Sequence, residues 1–156
     1  MNSSTLLQVL LVLHIAGFVT LAGTVAADTS IYSRVKKYLI TDKGKASIML
    51  ESSALFPVLI RISAIVVIAT GMGMVSIVHG FTEMLWFRIK MIIVLGIIIN
   101  GVVVGRRLMA KLRVVLAGNI TDNIEIERIQ SRLNLMYAVQ LALFLIVFTL
   151  SVFKFN

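Results

Sequence analysis

The 156-residue chain has no cysteine, a single proline and seven acidic residues. Without cysteine there is no disulfide scaffold and no thiolate site for zinc or iron–sulfur clusters. With Pro57 as the only proline, long helices can run unbroken over most of the sequence. Charged residues make up 14% of the chain, against roughly 25% in an average soluble domain. No nucleotide-binding glycine loop and no Ser-His-Asp pattern is present, and no carboxylate pair lies inside an apolar run. Soluble-type hydrolysis and nucleotide chemistry therefore have no support. No acidic ring or selectivity-filter sequence suggests an ion channel.

What is present is apolar: 59% of the residues, with a mean hydropathy of +1.01. A soluble domain of this size cannot hide so much apolar surface, and a disordered chain would carry far less of it. The composition implies one all-α integral membrane domain over residues 1–156, in contact with the lipid bilayer.

Four stretches are long and apolar enough to cross a bilayer: residues 6–27, 57–78, 84–104 and 133–153. The net charge is 15 − 7 = +8. On a soluble protein this would suggest nucleic acid. Here the basic residues gather between apolar runs, so no nucleic-acid partner is expected. Arg34, Lys36, Lys37, Lys43 and Lys45 follow the first span; Arg106, Arg107, Lys111, Arg113, Arg128 and Arg132 lie between the third and fourth. The link at residues 80–83 has no Lys or Arg. The positive-inside rule then places both basic loops in the cytoplasm, and both termini and the short link outside. The expected architecture is an antiparallel four-transmembrane-helix bundle. Val25-Ala26-Ala27 resembles a signal cleavage site, but the apolar run is too long and five basic residues follow it, so span one is read as a retained helix. Gly118-Asn119 reads as a break, and Thr121 followed by Glu125 and Glu127 as a helix start in water. Gly101 and Gly105, four apart, suit close helix packing, within one chain or in a homo-oligomer.

Polar residues inside the spans are few. His14 lies near the midplane, roughly 13 Å in from the start of span one at the helical rise. It shares a face, within about 40°, with Leu21 and Asp28. It reads either as an axial ligand or proton carrier, or as a neutral His bonded to a neighbouring helix. Glu83, Trp86 and Lys90 share one face of span three. Lys90 either snorkels, with Trp86 in the aromatic belt, or turns inward toward an anionic ligand. Arg88 points away from that face, and Arg61 reaches for Glu51 or lipid phosphates. Asn100, deep in span three, is expected to bond across helices, with Gln140 and Tyr137 as candidate partners. His79 reads as a pendant interfacial residue.

The order of these features resembles the HemJ-type protoporphyrinogen oxidases and their copper-resistance-D-like relatives, small four-span proteins of the bacterial plasma (inner) membrane. The segment LHIAGFVTLAGTVAADTSIY carries His14, Ala22-Gly23 and Tyr32 in similar places. MLESSALFPVLIRI carries Met49, Glu51, Leu55 and Arg61. LWFRIKMIIVL repeats the family's Trp-x3-Lys with Trp86 and Lys90. Gly105-Arg106-Arg107 and Arg132-Leu133-Asn134 match further points. The departures are a missing tryptophan in span one, where Val19-Thr20-Leu21 stands, Asn100 in place of a second histidine, and no proline early in span four.

The resemblance implies a divergent relative that binds haem b or a porphyrin. His14 would be the metal ligand, Lys90 would pair with a propionate, and Trp86 and Asn100 would line the site. A membrane quinone could serve as electron carrier. Two other readings stay open. One is a non-enzymatic four-helix module, as subunit, chaperone or small-ligand binder, with His14 structural. The other is a transporter formed by oligomerisation.

Overall fold

A computed structural model describes residues 2–78, 83–118 and 123–153, and all its regular elements are helical. Helix α1 (Ser3–Thr41) is followed by the short α2 (Lys43–Ser52) and then α3 (Phe56–Ile77). Helix α4 (Leu85–Ile98) continues through a π-helical segment (Ile99–Gly105) into α5 (Arg106–Leu116), and α6 (Asn123–Phe153) closes the chain. Four helical rods are long and apolar enough to cross a membrane, as a polytopic membrane protein requires. Residues 79–82 and 119–122 lie outside the described residues, and with them His79, Asn119, Thr121 and most of the short second link.

Local signals explain the boundaries. The Asp42 carboxylate accepts the Lys45 N–H at 3.0 Å and caps the start of α2. Pro57 stands in the first turn of α3, where its missing N–H costs nothing. Gly118 adopts φ 81° after α5, a conformation that favours glycine.

The helices run past the expected spans. At 1.5 Å per residue, the 39 residues of α1 extend about 58 Å, nearly twice a hydrocarbon core of about 30 Å. The basic connections expected as loops are thus largely helical, at the end of α1 and in α2 and α5, while α6 starts well before its apolar span with Glu125 in the first turn, as expected. The cause is visible in α5. Leu108, Leu112 and Val115 recur at helical spacing and are buried, while Arg106, Arg107, Lys111 and Arg113 face outward. A basic segment with that apolar stripe folds as an amphipathic helix.

Two apolar clusters hold the helices together. The larger lies at the basic end, where Tyr32, Val35 and Leu39 of α1 meet Ala46, Leu112, Val115, Ile129 and Leu133. The smaller sits among the apolar spans, with Leu21, Val25, Ile97, Phe144 and Val147 buried together. Phe18 and Phe144 meet edge to face, with centroids 5.9 Å apart. Outward positions are aliphatic on every rod: Val12 is 66% exposed, Ile65 65%, Ile92 72% and Leu145 66%. That pattern suits a hydrocarbon solvent.

Contacts fix the antiparallel order. On α1 and α3, Gly17 lies under Val66 and Val67, and Gly73 lies under Leu10. As the α1 number rises, the α3 number falls. The same holds for α4 and the π segment against α6, where Gly96 faces Leu143 and Gly105 faces Met136.

Two outcomes are expected. Leu133 is fully buried and Leu135, two residues on, is 66% exposed. Leu133→Ala should destabilise by about 2–5 kcal/mol, and Leu135→Ala by under about 0.5 kcal/mol, in unfolding followed by circular dichroism in lipid. The second concerns Asp42. The Lys45 backbone N–H, aided by the Lys45 ammonium, holds its carboxyl below the usual carboxylate value. A depressed folded value means that the cap's contribution is present above the unfolded value and lost as pH falls through the folded one. Hydrogen exchange at the start of α2 should accelerate in that acid window. Asp42→Asn, which keeps an acceptor oxygen, should remove the pH dependence.

Candidate functional site

His14 faces α3. Its Nδ1 lies 3.0 Å from the Thr70 hydroxyl. The Thr70 hydroxyl sends its own hydrogen to the Val66 carbonyl at 2.6 Å. The Val67 backbone also bonds the ring, so His14 is held against α3 by two groups, and one ring nitrogen of the neutral imidazole carries a lone pair. The ring rests on Gly71, where an added Cβ would stand 3.3 Å from Cε1 of His14. The sequence HIAG in α1 and TGMG in α3 therefore form one seam, with small residues letting an imidazole lie between two backbones.

Lys90 of α4 is half-buried and lies within electrostatic reach of His14. No acid pairs with it among the described residues. Trp86, one turn earlier, is buried, and its indole N–H donates to the Met84 sulfur at 3.2 Å. Its ring meets Phe87 edge to face.

Asn100 stands elsewhere. It lies in the π segment, and its amide N–H2 donates to the Gln140 side-chain oxygen at 2.8 Å and to the Met136 carbonyl at 3.0 Å. Gln140 is thus its partner, as its spacing suggested. Tyr137 instead donates to Asp28 of α1 at 2.7 Å. Asp28 is fourteen residues beyond His14, about 21 Å along α1. The expected site residues therefore fall into two levels, with His14 and Lys90 at one and Asn100 at the other.

The second level holds groups that sequence reasoning missed. The Tyr137 and Tyr32 rings lie 5.2 Å apart. The Tyr32 hydroxyl donates to the Gln130 carbonyl at 3.3 Å. The signal was the spacing: Asp28 and Tyr32 are one turn apart on α1, and Gln130 and Tyr137 two turns apart on α6.

Among the other expected residues, Arg61 is exposed and pairs with no acid among the described residues. Gly105 is buried against Met136, and the exposed Gly101 lies beside Gln140 of the same chain. No protein-family model, curated protein or solved structure matches the chain significantly.

Chemically, the described residues gather no group of three His, Cys, Asp or Glu that could hold a bare metal ion. A site at His14 can supply one neutral nitrogen ligand and, through Lys90, one cation. Thr70→Val should remove the hydrogen-bond partner of Nδ1 and destabilise by about 1 kcal/mol, with Thr70→Ser close to wild type, in thermal unfolding.

Proposed function

We propose that the chain is a multi-pass protein of the bacterial plasma membrane, basic end in the cytoplasm and both termini outside, that binds haem b or a related porphyrin at His14. The observation that carries this reading is the His14–Thr70 hydrogen bond between α1 and α3. An axial histidine ordinarily bonds a neighbouring group through one ring nitrogen and gives the other to the metal, and Thr70 would be that partner here. A bare metal ion would need further protein ligands, whereas a macrocycle brings four nitrogen donors of its own. Lys90 supplies a cation for a carboxylate on such a ring. Gly71 lets the ring lie close on α3, since an added Cβ would stand 3.3 Å from Cε1. The order of motifs along the chain, from His14 to Trp86 and Lys90, resembles the HemJ type and agrees with this assignment.

When bound, haem supplies a redox-active iron. The chain's own part would be to hold His14 against α3, to bring the Lys90 charge within electrostatic reach and to keep both among apolar helices. A membrane-soluble carrier such as a quinone is the partner class for electron exchange.

One observation favours a second reading. The same hydrogen bond over Gly71 accounts for His14 as a packing residue between α1 and α3. The chain would then be a non-enzymatic membrane module.

An absorption spectrum separates the two. Protein purified in mild detergent from haem-replete cells should show a Soret band. His14→Ala should lose it, and Lys90→Met should retain haem about tenfold less tightly. Colourless wild-type protein that cannot be reconstituted with haem overturns the first reading and leaves the second.

A further inference from the structure

The second polar level, between α1 and α6, has no part in the reading above. Asp28 is a half-buried acid placed among otherwise uncharged apolar helix faces. Its hydrogen-bond partner is a phenol, Tyr137, at 2.7 Å. No Lys, Arg or His forms an ion pair with it among the described residues. A carboxylate set in apolar surroundings is ordinarily paired with a cation or coordinated, and one without either is a candidate for proton chemistry.

We propose that Asp28, with Tyr137, is an exchangeable proton site in the bundle interior. The carboxylate gains a proton to become the acid and loses it again to water. Tyr137 stays protonated throughout and donates to either form. No other bond is made or broken, and no co-reactant is needed.

The surroundings support exchange over a purely structural bond. Tyr32 lies against Tyr137, one turn nearer the basic end than Asp28. Its hydroxyl leads to Gln130, nearer still to that end. The Gln130 Nε2 is buried with no hydrogen-bond partner among the described residues. Buried donors are ordinarily met, so this is where an ordered water would fit. Two phenols and the Gln130 amide thus stand at successive positions between Asp28 and the basic end. The groups facing the site are Asp28 and Tyr32 from α1 and Tyr137 and Gln130 from α6. Asn100 and Gln140 are neutral and satisfy each other. Ala46, Leu108 and Leu112 add only apolar contacts from α2 and α5.

The test is infrared difference spectroscopy of the full chain in lipid nanodiscs, titrated over about pH 4 to 9. A carbonyl band of a protonated carboxyl should rise and fall with pH and be absent from Asp28→Asn. Its midpoint should move by about one pH unit in Tyr137→Phe. If Asp28→Asn does not fold, a hydrophobic carbodiimide, which attacks protonated carboxyls, should label wild-type Asp28 with the same pH midpoint. A carboxyl that stays in one state across that range, or a midpoint unchanged in Tyr137→Phe, overturns the proposal. The Soret band is a separate readout, so loss of the haem reading leaves this result standing.

Discussion

In hydrocarbon there is no water to meet a backbone N–H or C=O, so each must be satisfied within its own segment. This constraint fits four long helices with aliphatic outer faces, and it also limits what can hold them together. Lipid tails are as apolar as leucine, so leucine contacts alone do not choose a partner helix. Choice falls to close backbone approach and to hydrogen bonds. Both are present. Gly17 and Gly73 bring α1 and α3 together, with Val66, Val67 and Leu10 over them. Asn100 and Gln140 join the π segment to α6, and Asp28 and Tyr137 join α1 to α6.

Beyond the apolar spans the physics changes. At the basic end, Val35, Leu39, Ala46, Leu112, Val115 and Leu133 are nearly or fully inaccessible. This is packing of the soluble kind, where excluding water is itself the driving force. The same segments carry Arg34, Lys36, Lys37, Arg106, Arg107, Lys111 and Arg113 on their outer faces. The basic residues therefore have two neighbours, a water-excluding core beneath and polar surroundings outside. A loop would have satisfied charge placement alone, and the extra apolar stripe is what makes these connections helical.

How far the sequence disclosed this depended on the type of signal. The four apolar runs were legible because span length is a property of consecutive residues. Asn100 with Gln140 was legible because a polar side chain deep in a span has few partners to choose from. The ends of the helices were misjudged. Asp28 was placed on the His14 face but just past the end of span one, and Tyr137 was offered to Asn100, so the pairing of the two went unnoticed. The side to which His14 turns was not legible either. It depends on Thr70 and Gly71, fifty-six and fifty-seven residues away, and no periodicity within α1 reports on them.

The two polar levels on α1 differ in a way that bears on function. At His14 the seam is with α3, and glycine sets the approach. At Asp28 the seam is with α6, and two tyrosine rings in tilted contact set it. About 21 Å of helix separates them, too far for direct contact. Between them lie Leu21 and Val25, packed on Ile97, Phe144 and Val147, and this layer is apolar. The buried Thr24 hydroxyl, also on this stretch, donates to the Thr20 carbonyl of its own helix. A proton at Asp28 would therefore not reach His14 through this layer by hydrogen bonds. Any coupling between the levels would have to pass through α1 as a rigid body. A shift at the α6 seam would then move the helix against α3, where Gly17 under Val66 and Val67 and Gly73 under Leu10 leave least room.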